Sequence, residues 1–181
     1  MKANLICIIT LALSLAGIFV NQAQAELKVG DQAPAFELAG SDGKTYKLAD
    51  FKDKQVVVVA WFPKAFTGGC TKECASMKEN GSAIRKYDVA YFTASCDPVE
   101  GEKGNKAFAA SLGLDYPILC DPTRATAIAY GLTNSPTGNA KRVTFYIGKD
   151  GKILYIDSSV NTAGHGADIA KKLEELGAAK K

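Results

Sequence analysis

The sequence predicts an α/β fold: a central mixed β-sheet flanked by helices, with an N-terminal β-hairpin. Three observations carry this. Short β-branched runs alternate with helix-compatible stretches, which is the order of a layered α/β domain. One run, QVVVVAWF (55–62), is apolar at every position except its first, as a central strand buried on both faces must be. The chain then closes with two strands around Gly148-Lys149-Asp150-Gly151 and a helix, so at least one strand pair is antiparallel.

Taken in order, residues 1–25 read as a targeting segment that is cleaved, leaving a single domain over 26–181. Lys2 provides a short positive start, LICIITLALSLAGIFV the apolar stretch, and Ala23 and Ala25 an A-x-A type cleavage site. The stretch is short for a membrane span and holds polar Thr10 and Ser14. Export to the periplasm or beyond is therefore expected, with no stable membrane association after cleavage. Next, APAFELAG and KTYKLADF flank the turn signal Ser41-Asp42-Gly43, predicting the hairpin. After the 55–62 strand the composition turns helical from Cys70 to about Tyr87. VAYFTASC (89–96) is a strand, Lys103 to Leu112 a helix, and YPILC (116–120) a short strand. Pro122 opens a helix to Tyr130. Strands over 142–147 and 152–157 follow, and ADIAKKLEEL places Ile169, Leu173 and Leu176 on one helical face.

The formal net charge is +3, with lysines scattered singly, which gives no footprint for nucleic acid. Four cysteines follow the targeting segment: Cys70, Cys74, Cys96 and Cys120. An oxidising compartment favours disulfides, yet a domain of this size does not need staples, so a catalytic use stays open.

The chemistry concentrates in WFPKAFTGGCTKECASMKEN (61–80). Pro63 stops the strand, and Gly68-Gly69 turn the chain into a helix with Cys70 in its first turn. Unpaired backbone N–H groups and the positive end of the helix dipole there favour a thiolate. Thr67, three residues earlier, can offer its hydroxyl to that thiolate or to an oxygen bound beside it. Trp61, Phe62 and Phe66 read as core and pocket wall. His165, the single histidine, reads as a capping or packing residue leading into the last helix rather than a metal ligand.

Pro63, Thr67 and Cys70 spell P-x3-T-x2-C, the active-site motif of the peroxiredoxins of the AhpC/TSA superfamily. WFPKAFTGGCTKE most resembles the bacterioferritin-comigratory, PrxQ-type branch. GDQAPAFEL, TASCD, PILCDP, AIAYGL, KRVTFYIGKDGKI and GHGADI follow in that family's order, so the likeness spans nearly all of residues 26–181. The resemblance implies a thioredoxin-like (peroxiredoxin) fold and a thiol-dependent peroxidase needing no metal, haem or flavin. Its substrates would be hydrogen peroxide and small organic hydroperoxides, and a thioredoxin-like or other thiol reductant would regenerate it. A monomer or weak dimer is expected.

By the same resemblance, Cys70 is the peroxidatic cysteine, Thr67 and the Gly69-Cys70 turn hold the peroxide oxygens, and Pro63 shields the site. Arg142 steadies negative charge, and Glu73 orients the arginine in some relatives. Two departures stand out. Gly68 replaces the branch's usual proline, and the second cysteine, Cys74, lies four residues on rather than five. Residues i and i+4 of a helix are neighbours whose Cβ vectors tilt the same way, so Cys74 could resolve the oxidised Cys70 only after the helix unwinds. Cys96 or Cys120 as resolver, or an external thiol, are the alternatives. Cys96 and Cys120 end two strands expected to be parallel neighbours, which suggests a structural disulfide, with two inert thiols as the other reading.

Two rival functions use the Cys70-x3-Cys74 pair. A Sco-like copper chaperone would need a histidine in SPTGNAKR, where this chain has Arg142, and His165 comes too late. A thioredoxin-like disulfide oxidoreductase would use Cys-x2-Cys, which the chain lacks.

Overall fold

A computed structural model describes residues 26–181. The cleaved targeting segment expected over 1–25, with Cys7 inside it, lies outside the described residues. Among the described residues no helix is long and apolar enough to cross a membrane.

The strands are β1 (Glu37–Gly40), β2 (Thr45–Lys47), β3 (Val56–Trp61), β4 (Val89–Ser95), β5 (Ile118–Cys120), β6 (Val143–Ile147) and β7 (Ile153–Asp157). The helices are α1 (Gly68–Glu79), α2 (Gly81–Ile84), α3 (Asn105–Leu112), α4 (Ala125–Ala129) and α5 (His165–Glu175), with a 3-10 turn at Leu48–Phe51. All seven strands join one sheet in the order β2-β1-β5-β4-β3-β6-β7. β3, β4 and β5 run parallel, while the β1-β2 hairpin and β6-β7 are antiparallel additions, so the sheet is mixed as expected.

Strand β3 is buried at all six positions because both its faces are covered. Val57, Val59 and Trp61 pack with Phe92, Phe145, Ala127 and Tyr130 on one face. Val56, Val58 and Ala60 pack with Met77, Ile84, Ile169 and Leu173 of α1, α2 and α5 on the other. That second layer carries the chemistry.

Three expectations need correction. The helix after Cys70 does not run to Tyr87: Asn80 leaves helical geometry at φ −98°, ψ 8°, and a separate short helix follows. The helix after Pro122 starts only at Ala125, because Arg124 sits in the left-handed region at φ 62°. Cys96 and Cys120 are both free thiols. Their strands are parallel neighbours, but Cys120 pairs in register with Ser95, not with Cys96. Side chains alternate along a strand, so the two sulfurs face opposite sides of the sheet. Cys96 packs in the cluster with Trp61 and Leu119, whereas Cys120 meets the Asn105 amide at 3.3 Å.

Candidate active site

The loop between β3 and α1 brings the motif to the surface. Phe62 still donates its N–H to Ala94 O at 2.9 Å, and Pro63 then ends the ladder. Asp97, just beyond β4, accepts from Ala65 N at 2.8 Å and from Ser95 Oγ at 2.9 Å, pinning the loop to the sheet. Asn105, fully buried, holds Ser95 Oγ from the start of α3 at 2.9 Å. Nothing local in the sequence marks Asp97 or Asn105 as supports of the motif. The TASCD segment was the only signal.

Thr67 is the N-cap residue of α1, with extended backbone at φ −101°, ψ 150°, but its side chain does not cap the helix. Its hydroxyl donates to Lys64 O at 2.9 Å. The proton is thus committed within the loop and not to Cys70, while the oxygen's lone pairs stay open as acceptors. Gly68, Gly69 and Cys70 form the first turn, whose N–H groups have no intrahelical acceptor. Gly69 lies close under the arginine: a Cβ there would stand 3.3 Å from Arg142 Nη2.

Cys70 is 1% exposed, beneath the exposed rim of Phe66, Thr67, Gly68 and Gly69. Arg142, at the entry to β6, donates from Nη2 to Cys70 Sγ at 3.3 Å. Its other terminal nitrogen, Nη1, is in direct contact with Glu73 Oε2. The guanidinium fork therefore spans a buried carboxylate and the thiol. Glu73 is wholly buried, one turn after Cys70, and its second oxygen lies 3.0 Å from His165 Nδ1. His165 Nε2 in turn meets Thr144 Oγ1 at 3.0 Å. Thr144 and Arg142 belong to the same strand segment, so Cys70, Arg142, Glu73, His165 and Thr144 form one chain of contacts.

His165 was expected to cap or pack. It opens α5 without capping it, since that helix has no side-chain cap. Both its ring nitrogens serve the site instead. Burial lowers its pKa from 6.5 to about 4, and Arg142 pushes the same way; Asp157 and Asp168 oppose. The adjacent Glu73 carboxylate would favour protonation, but Arg142 already satisfies that charge, so the imidazole stays neutral.

Cys74 shares the small core of Phe62, Ala65, Cys70, Phe108 and Ile118 and has no exposure. Burial pushes its thiol pKa up to about 12. Tyr116 Oη donates to the Cys74 carbonyl at 2.9 Å and holds this turn of α1 down. Burial likewise raises Cys120 to about 11, and raises Cys96. Of the four thiols, Cys70 alone has a cation against its sulfur. Phe66, expected as core or pocket wall, is 45% exposed at φ 61° and lies against Phe108 with ring centroids 5.0 Å apart. Its ring lines the rim of the site rather than the core.

The geometry also weighs on the copper-chaperone reading. A fixed cation stands against Cys70, and His165 faces Glu73, so neither cysteine has an imidazole beside it. The arrangement suits a nucleophilic thiolate attacking a bond that sheds an anionic oxygen.

Comparison with known proteins agrees. Residues 29–156 match the model of the AhpC/TSA family. Peroxiredoxin Bcp of Escherichia coli K12 is 30% identical over 155 residues, covering 82% of this chain and 97% of that protein. The crystal structure of peroxidoxin BcpB from Mycobacterium tuberculosis superposes with a TM-score of 0.74 at 28% identity, covering 83% of this chain and 98% of that one. A mutant of Xylella fastidiosa PrxQ gives a TM-score of 0.75 at 22% identity, covering 84% and 99%, a likeness of fold.

Proposed function

Since the chain belongs to the AhpC/TSA family and is a peroxiredoxin of the Bcp and PrxQ group, a thiol peroxidase, we propose that Cys70 is its peroxidatic cysteine. The observation that carries the assignment is Arg142 Nη2 at 3.3 Å from Cys70 Sγ, at the N-terminal turn of α1. Both features place positive charge beside the sulfur that attacks.

In the first half-reaction the Cys70 thiolate attacks the terminal oxygen of a hydroperoxide. An S–O bond forms and the O–O bond breaks; the hydroxyl stays on sulfur as Cys70 sulfenic acid, and the alkoxide or hydroxide leaves and takes its proton from solvent. Thr67 Oγ1 accepts from the peroxide O–H, the first-turn N–H groups and Arg142 steady the developing charge, and Pro63 limits water. In the second, the Cys74 thiol attacks that sulfur after α1 unwinds, forming a disulfide and releasing water. An external dithiol then reduces the disulfide by exchange. Small organic hydroperoxides are included beside hydrogen peroxide because the exposed Phe66 ring, four residues before Cys70, offers an apolar surface. The leader 1–25 directs export, so the reductant acts outside the cytoplasm, on a monomer or weak dimer.

Disulfide mapping after one equivalent of hydrogen peroxide, in the wild type, Cys70→Ser and Cys74→Ser, tests this. Peroxide consumption at the wild-type rate by Cys70→Ser would defeat the central assignment. Unchanged turnover of Cys74→Ser with a thiol donor would remove Cys74 as resolver.

A further inference from the structure

Arg142 is useful only if its fork stays aimed at Cys70 Sγ, and what aims it is Glu73. A carboxylate wholly enclosed by protein keeps its orientation only if both oxygens are held. Arg142 Nη1 holds Oε2. The other oxygen, Oε1, has the His165 ring nitrogen Nδ1 at 3.0 Å. Neither atom has another hydrogen-bond partner among the described residues, so the tautomer that serves the carboxylate carries its proton on Nδ1 and leaves Nε2 as acceptor. Thr144 Oγ1, 3.0 Å from Nε2, supplies the hydroxyl that donates to it and fixes this tautomer.

We propose that His165, locked by Thr144, is a positioning residue that fixes the Glu73 carboxylate and thereby holds the Arg142 guanidinium against Cys70. The inference rests on Cys70 being the attacking thiol.

The groups around the imidazole support this role. Glu73 faces it from α1, Thr144 from β6, Asp157 from β7, Asp168 from its own helix, and Arg142 from the entry to β6. A neutral donor is the right partner. A protonated imidazole or a lysine would take the Glu73 charge for itself and loosen Arg142, whereas a neutral N–H orients the carboxylate without competing. The helix packing enforces the contact. Gly166 N donates to Ser76 Oγ at 3.1 Å, and a Cβ on Gly166 would stand 2.2 Å from Ser76 O. Residue 166 thus lets α5 approach α1 closely enough for His165 to reach Glu73.

The test measures the second-order reaction of the reduced protein with hydrogen peroxide, by competition with a haem peroxidase, from pH 4 to 9. His165→Ala should lose about tenfold to a hundredfold in rate at pH 7, the scale of a catalytic group displaced by about 1 Å, and the pH midpoint should rise. His165→Asn, whose amide nitrogen occupies nearly the place of Nδ1, should recover most of the rate and return the midpoint towards wild type. Thr144→Val, close in volume and keeping the histidine, should shift the midpoint in the same direction by less, and it carries the test if His165→Ala fails to fold. A folded His165→Ala with wild-type rate and midpoint overturns the proposal, as does a His165→Asn no better than His165→Ala. Peroxide consumption by Cys70→Ser at the wild-type rate would instead overturn the assignment of the attacking thiol.

Discussion

With Cys74 as the proposed resolving thiol, its burial predicts how the oxidised enzyme resolves, and the prediction can be put in numbers. With the helix intact, a thiol pKa of about 12 leaves only about one part in 100,000 ionised at pH 7. An exposed cysteine near 8.5 is ionised to about 3%, about three-thousandfold more. The turn is also tied down by Tyr116 on the Cys74 carbonyl and by Glu73 between Arg142 and His165. Resolution should therefore pass through an unwound first half of α1, in which Cys74 ionises as an ordinary thiol. Stopped-flow addition of one equivalent of hydrogen peroxide, with timed trapping of the sulfenic acid and mass spectrometry, gives the rate of disulfide formation. That rate should level off near pH 8.5 to 9 and rise several-fold in sub-denaturing urea. Tyr116→Phe, which frees the carbonyl, should raise it about fivefold, the equivalent of one hydrogen bond of about 1 kcal/mol. A rate that climbs tenfold per pH unit through pH 10 and ignores urea would mean attack from within the closed helix, and the reasoning would be wrong.

Three further outcomes are expected. His165 is neutral when folded, with its pKa lowered from 6.5 to about 4, so the unfolded chain binds the extra proton between those values. Stability should fall as pH drops from 6.5 towards 4, by up to about 3 kcal/mol, and His165→Asn should flatten that slope in urea titrations. Gly166→Ala forces a methyl against the Ser76 carbonyl, Asn80 Cβ and Met77 Cα. It should cost about 1–3 kcal/mol and lower Tm by roughly 3–10 °C, so an unchanged calorimetric melt would contradict the close approach. Gly68→Pro fits the first helical position after the extended Thr67, where no atom lies within 4 Å of the added Cβ. It should gain about 0.4–1 kcal/mol in denaturant titrations, and a loss would show that this turn needs its freedom.

The elements were largely readable because their signals are local. The 55–62 run could only be a doubly covered strand, and Gly-Lys-Asp-Gly could only be a hairpin turn. The pairing of Arg142 with Cys70, 72 residues apart, came from a family likeness and not from any pattern in the chain. The orienting role of Glu73 likewise came only from the likeness, since nothing in TKECASM announces that a carboxylate there has no exposure. Its burial is decided by α5 and β6. His165 is buried as a packing residue would be, but its polar role was hidden for the same reason: the partners of both ring nitrogens lie on other elements. The Cys96 and Cys120 strands were placed correctly as neighbours. One residue of register, invisible in the sequence, turned the sulfurs to opposite faces.

Cys70 and Glu73 sit one turn apart on the same helix, and this sets a timing problem. The state that makes the thiol reactive and the state that lets Cys74 approach are mutually exclusive, because unwinding α1 pulls Glu73 out of its socket. A sulfenic acid in the closed state must therefore wait. While it waits, a second peroxide can carry it to the irreversible sulfinic acid. The firmness of the Glu73 socket thus acts as a dosage limit. On the proposed roles of Cys70 and Cys74, a tighter fit would speed the first encounter but lower the peroxide concentration at which the thiol is lost.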